Sequence, residues 1–132
     1  MSLVLAESKN FRVTSEYEKV SLNFKNCKRD IYIGDFYGDP QAAAISCDES
    51  FCVMVGCGLI IYYMHEPFED FRYNASTRQW KELFRENERT WWINEAEILD
   101  KLTIAFTVEE ADKENGGRYK LNTVTLELTK CN

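Results

Sequence analysis

The chain holds a single histidine, His65, and five cysteines, at positions 27, 47, 52, 57 and 131. Any imidazole-assisted step must therefore run through His65. Cys57 sits between Gly56 and Gly58, where a bare backbone lets a substrate approach closely. Cys57 and His65 are thus the candidates for a thiol nucleophile and its base, although no local signature of a cysteine hydrolase surrounds them. Cys47, Cys52 and Cys57 recur every five residues, an odd step that on a strand turns Cys52 and Cys57 to opposite faces and keeps them from converging on one ion. No metal site is expected. Asp35 and Asp39 flank Phe36-Tyr37-Gly38 but supply too few alternating oxygens for a calcium loop, so their carboxylates are expected to cap the turn. There is no GxxxxGK[ST] or GxGxxG segment, and no cofactor is expected. Trp91 and Trp92 are adjacent, so on a strand they face opposite ways, and the outward ring offers a stacking platform for a ligand.

Charge is more informative by segment than in total. Residues 1–29 carry six Lys and Arg against three acids, and residues 72–132 are near balance. Residues 30–71 carry eight acids and no Lys or Arg at all. The net charge of −6 argues against nucleic acid, whose binding rests on clustered cations. In the middle third, Asp35, Asp39, Glu66, Glu69 and Asp70 are interleaved with Phe36, Tyr37 and Phe68. In a meander, loops two strands apart return to one end of the sheet. These eight residues are accordingly expected to converge into an acidic, aromatic rim that steers and anchors a basic partner.

The elements that would carry such a rim are strands. Val20, Leu22 and Phe24 alternate with polar residues, so 17–25 reads as a half-buried strand, and Ile31-Tyr32-Ile33 resumes the pattern after a polar turn. Ala42–Ser46 pairs with Phe51–Val55 through Asp48-Glu49-Ser50, which would set Cys47 opposite Cys52, both expected reduced. Leu59–Met64 is apolar on both faces and reads as a central strand. Trp80, Leu83 and Phe84 have the spacing of a two-turn helix, while Phe71–Asn74 and Gln79–Leu83 also suit a hairpin, which we prefer. Trp91–Leu99 and Leu102–Val108 form a second hairpin, followed by Tyr119–Leu121 and Val124–Leu128. Aromatic strands ending in Asn at Phe71–Asn74 and Arg118–Asn122 are about one propeller blade apart. At 132 residues the chain is too short for four such blades.

These readings predict one mainly β domain over residues 1–132: an antiparallel sandwich or curled meander of about ten short strands, with at most one short helix near 76–86. The apolar run at 51–64 is shorter than the twenty or so residues a membrane helix needs, and Glu7 interrupts any leader, so a cytoplasmic protein is expected. The expected function is non-enzymatic: an inhibitor or immunity-type protein that covers a basic protein surface. A small thiol enzyme using Cys57 and His65, or a ligand-binding β-protein using Trp91 and Trp92, is the alternative.

Overall fold

A computed structural model describes residues 3–85 and 90–131. It is all-β and antiparallel, with twelve strands in three sheets of four. The first sheet is the meander β1 (Leu3–Glu7), β2 (Phe11–Glu16), β3 (Lys19–Phe24) and β4 (Arg29–Asp35). The second runs β5 (Ala42–Ile45), β6 (Phe51–Gly56), β7 (Gly58–Tyr63) and β8 (Trp80–Leu83). The third runs β9 (Ile93–Ile98), β10 (Thr103–Val108), β11 (Gly117–Asn122) and β12 (Leu128–Lys130). Among the described residues there is no helix, and so none long and apolar enough to cross a membrane.

The stack follows from which faces are apolar. β6 is buried along its whole length and β7 nearly so, which only a sheet covered on both sides can satisfy. Cys52, Met54, Ile60, Tyr62 and Trp80 pack against Val13, Val20, Leu22, Ile31 and Ile33 of the first sheet. The alternate residues Phe51, Val53, Val55, Leu59 and Ile61 pack against Ile93, Ile104, Phe106, Val108, Tyr119 and Leu121 of the third. The outer sheets alternate apolar-in and polar-out. Thr14 donates to Asn23, which donates to Asp30 across the free face of the first sheet, and Arg118 pairs with Glu97 on the third. Polar faces at both ends terminate the stack as capping repeats terminate a solenoid. The leading strands touch, β1 on β5 and β5 on β9, so three blade-like meanders fan out from one line.

Several sequence expectations change in detail. Residues 11–16 form a strand of their own, and what reads as one strand over 17–25 begins in a turn: Glu16 pairs with Lys19, leaving Tyr17-Glu18 as the tip. The segment 71–74 does not pair with β8. Phe71 N–H instead donates to Tyr32 O on the edge of β4, while Trp80–Leu83 pairs with β7. No helix forms over 76–85, and residue 86, the end of that expected helix, lies outside the described residues. Phe84 has φ +60°, which turns its ring back onto Trp91 and defeats the helical spacing. Cys52 faces Ile45 rather than Cys47, which sits exposed in the turn beyond. The last strand starts at Leu128, after a loop over 123–127.

Candidate functional site

Meander parity decides which loops meet. The connections after β2, β4, β6, β8 and β10 emerge at one end of the stack, and those after β1, β3, β5, β7, β9 and β11 at the other. Backbone bonds confirm the first group: Phe36 N–H donates to Glu18 O, Gly58 N–H to Trp91 O, and Glu109 N–H to Trp92 O. They confirm the second as well, where Met64 N–H donates to Ser50 O. The loop at 35–41 therefore lies at the opposite end from the start of the 64–79 connection, because three strands separate them. The eight expected rim residues divide.

Glu66, Phe68, Glu69 and Asp70 begin a long connection that straps the edge of β4. Glu66 forms a two-pronged ion pair with Arg29, at 2.8 and 3.2 Å, and the hydrogen bonds from Arg29 hold its carboxyl below the usual range. Asp70 accepts the Tyr32 N–H at 3.1 Å, and Thr77 donates to Glu69. Phe68 is half-buried, edge-on to Phe24 and stacked on Tyr62. These groups cover an open strand edge, a standard protection against edge-to-edge pairing. At the other end Phe36 is buried at 3% exposure beneath Arg85, whose guanidinium carbon lies 5.0 Å from the ring. It is a core residue there and not an anchor. Asp35 is half-buried and accepts the Tyr32 hydroxyl at 2.9 Å. Tyr37 and Asp39 are exposed.

The two catalytic candidates also part. Cys57 precedes β7 and His65 follows it, so the six residues of the strand hold them about 20 Å apart. Cys57 is half-buried, and burial pushes its thiol up despite the opposing charge of Arg85. His65 is exposed, with Nδ1 3.4 Å from Glu66 O. Cys52 is fully buried and pushed up to about 12. Among the described residues no group of three or more His, Cys, Asp or Glu could hold a metal ion.

The end that carries Tyr37 and Asp39 is rich in what binding surfaces use. Among the described residues the exposed large aromatics are Tyr17, Tyr37, Tyr73 and Trp92, between 46% and 78% exposed, and all four gather at this end. Tyr17 tips the β2–β3 turn. Tyr37 follows β4, held by Gly38 N–H donating to Glu18 at 2.6 Å. Tyr73 reaches over Arg85 at 5.5 Å, and Trp92 bridges to Cys57. Its neighbour Trp91 is half-buried and packs against the core, stacked 4.2 Å from Phe84 and tilted 4.9 Å from Tyr119. Glu16, Glu18, Asp39, Glu109, Glu110 and Glu114 are exposed at this end, with Asp35 half-buried among them, and Lys19, Lys113 and Lys130 are exposed cations there. An open cavity of about 610 Å³, lined by Glu16, Tyr17, Glu18, Lys19, Ser21, Tyr32 and Asp35, runs from this end onto the free face of the first sheet.

Sequence reasoning missed Tyr17, Glu16, Glu18, Tyr73, Glu109 and Glu110. A signal for the first three exists: Ser-Glu-Tyr-Glu-Lys lies between two alternating segments, as a hairpin tip would. Arg85 supports the site from below. Its Nη2 donates to Asp35 O at 2.6 Å, and Nη1 lies 3.6 Å from Glu82. Gly58, at φ +85°, makes room for its stem. Compared with known protein families, curated proteins and solved structures, the chain finds no match.

Proposed function

We propose that this chain is a binding module with no chemistry of its own, which docks a basic protein surface through the aromatic, acidic end of its sheets. The observation that carries the reading is the gathering of four exposed aromatic rings at one end, set among acids. Rings of this kind bury large area at little conformational cost and attract cations through their faces. Carboxylates around them raise the encounter rate with a positive partner and disfavour a negative one. The Tyr17–Tyr32 cavity, with Glu16, Glu18 and Asp35 at its wall, suits a single arginine or lysine side chain of the partner. An inhibitor or immunity-type protein that masks a basic groove is the class this description fits.

A fluorescein-labelled nona-arginine peptide, followed by anisotropy at low and high salt, tests it. Binding is expected to weaken steeply with salt. Tyr37→Ser combined with Asp39→Asn is expected to weaken it at least about tenfold, as loss of an aromatic anchor does. Glu127→Gln, at the opposite end, is expected to leave it unchanged. Equal losses from both ends, or none from either, would refute the reading.

A further inference from the structure

Arginine is held in this protein by a recurring arrangement of two aromatic rings and a carboxylate. The guanidinium carbon of Arg29 lies 4.9 Å from the centre of the Phe24 ring and 5.4 Å from that of Phe68, and Glu66 accepts its N–H groups at 2.8 and 3.2 Å. Arg85 lies 5.0 Å from Phe36 and 5.5 Å from Tyr73, with Glu82 3.6 Å from its Nη1. Arg72 and Lys130 each meet one ring only, Trp80 at 5.7 Å and Tyr119 at 5.6 Å, and among the described residues no lysine is set against two. A third set of two rings with carboxylates lines the open cavity of about 610 Å³ at the aromatic end: Tyr17 and Tyr32, with Glu16, Glu18 and Asp35. Among the described residues no arginine of the chain lines it.

We propose that this cavity selects an arginine side chain of the partner over a lysine. That selection rests on the reading of this end as a docking face. Tyr32 Oη donates to one oxygen of Asp35 at 2.9 Å, and Gly38 N–H donates to one oxygen of Glu18 at 2.6 Å. Each carboxylate is thereby fixed in orientation, with its second oxygen left to accept. A guanidinium lies flat on a tyrosine face while its in-plane N–H groups reach fixed carboxylates. An ammonium is a strongly hydrated point charge and gains less from either contact. Lys19 is the one cation among the lining residues, against three carboxylates, so the cavity still favours a positive guest. Arg85, which donates to Asp35 O from beneath, is balanced by Glu82.

Fluorescein-labelled nona-arginine and nona-lysine, equal in charge and compared by anisotropy at low salt, test it. The arginine peptide is expected to bind at least about fivefold tighter. Tyr17→Asn removes one ring, and asparagine accepts the left-handed backbone at that turn, where φ is +56°. It is expected to bring the two affinities together, while Tyr17→Phe keeps them apart. Tyr37→Ser, outside the cavity, is expected to weaken both peptides alike and leave their ratio unchanged. Should Tyr17→Asn fold poorly by circular dichroism, Glu16→Gln reads the same ratio, which is expected to fall. Equal binding of the two peptides to the native protein, or a ratio blind to Tyr17 and Glu16, overturns this selection and leaves the docking face standing. Binding of neither peptide removes the docking face itself, and the selection with it.

Discussion

Gly58 is the position at which a single carbon atom is expected to do most damage. It stands at the β6–β7 turn with φ +85°, where an L side chain is disfavoured. A Cβ there would lie 2.1 Å from Arg85 Cγ and 3.0 Å from Leu83 O. The backbone term costs about 1–2 kcal/mol. The steric term forces Arg85 away, breaking its 2.6 Å bond to Asp35 O and separating it from Glu82, which is only 13% exposed. A charged hydrogen bond lost from such a site costs a further ~1.5–3 kcal/mol. Gly58→Ala is thus expected to lose about 3–5 kcal/mol, a large part of the ~5–15 kcal/mol that holds a domain together. Gly38→Ala supplies the control, since Gly38 has φ +82° but nothing within 4 Å of a new Cβ. It is expected to cost only the backbone term, about 1–2 kcal/mol. Urea denaturation of both variants at constant m-value reads the two numbers directly. Equal losses at 58 and 38 would show that Arg85 is not packed as described, and would undo its role beneath the aromatic end.

Three further expectations concern the rest of the stack. Glu49 ties the β5–β6 turn to the β1–β2 turn by accepting from Ser8, from Asn10 N–H at 2.9 Å and from Asn10 Nδ2 at 2.6 Å. Burial works to raise its carboxyl, but these bonds outweigh it and leave the value lowered. Its stabilisation is therefore complete above about pH 4.5 and lost as pH falls through the lowered value; Glu49→Gln should flatten that part of the acid-unfolding curve. Iodoacetamide on the native protein should label Cys27 and Cys47, which are exposed, while Cys52 reacts only on unfolding, as peptide mass spectrometry would show. Trp91→Ala should cost about 2 kcal/mol in thermal or urea unfolding, whereas Trp92→Ala should cost under about 1 kcal/mol, because the half-buried Trp91 packs on Phe84 and Tyr119 while Trp92 is exposed.

The central architecture was legible because β6 and β7 carry apolar residues on both faces, a pattern only a covered sheet explains. The hairpins around 42–55 and 93–108 were legible from their turns. β2 was not, because Ser15 points inward and is buried, so Phe11, Val13 and Ser15 do not read as an apolar face. β12 is exposed along its whole length and shows no alternation. The rim failed as first drawn for a topological reason. Asp35 and Glu66 lie on loops separated by three strands, and an odd number sends them to opposite ends of the stack. Asp39 and Tyr37 kept their exposure, while Phe36 went into the core because Arg85 covers it. No local composition reveals a cover supplied from about fifty residues away.

The most direct test of the proposed binding face is a residue-resolved map. Amide chemical shifts of isotope-labelled protein, titrated with nona-arginine at low salt, would locate the contact. Shifts are expected at Glu16, Tyr17, Glu18, Tyr32, Asp35, Tyr37, Gly38, Asp39, Tyr73, Trp92 and the loop after β10, and nowhere else. Shifts centred instead on residues 46–50, 65–70 or 99–102, or spread evenly over the acidic surface, would contradict the proposed face.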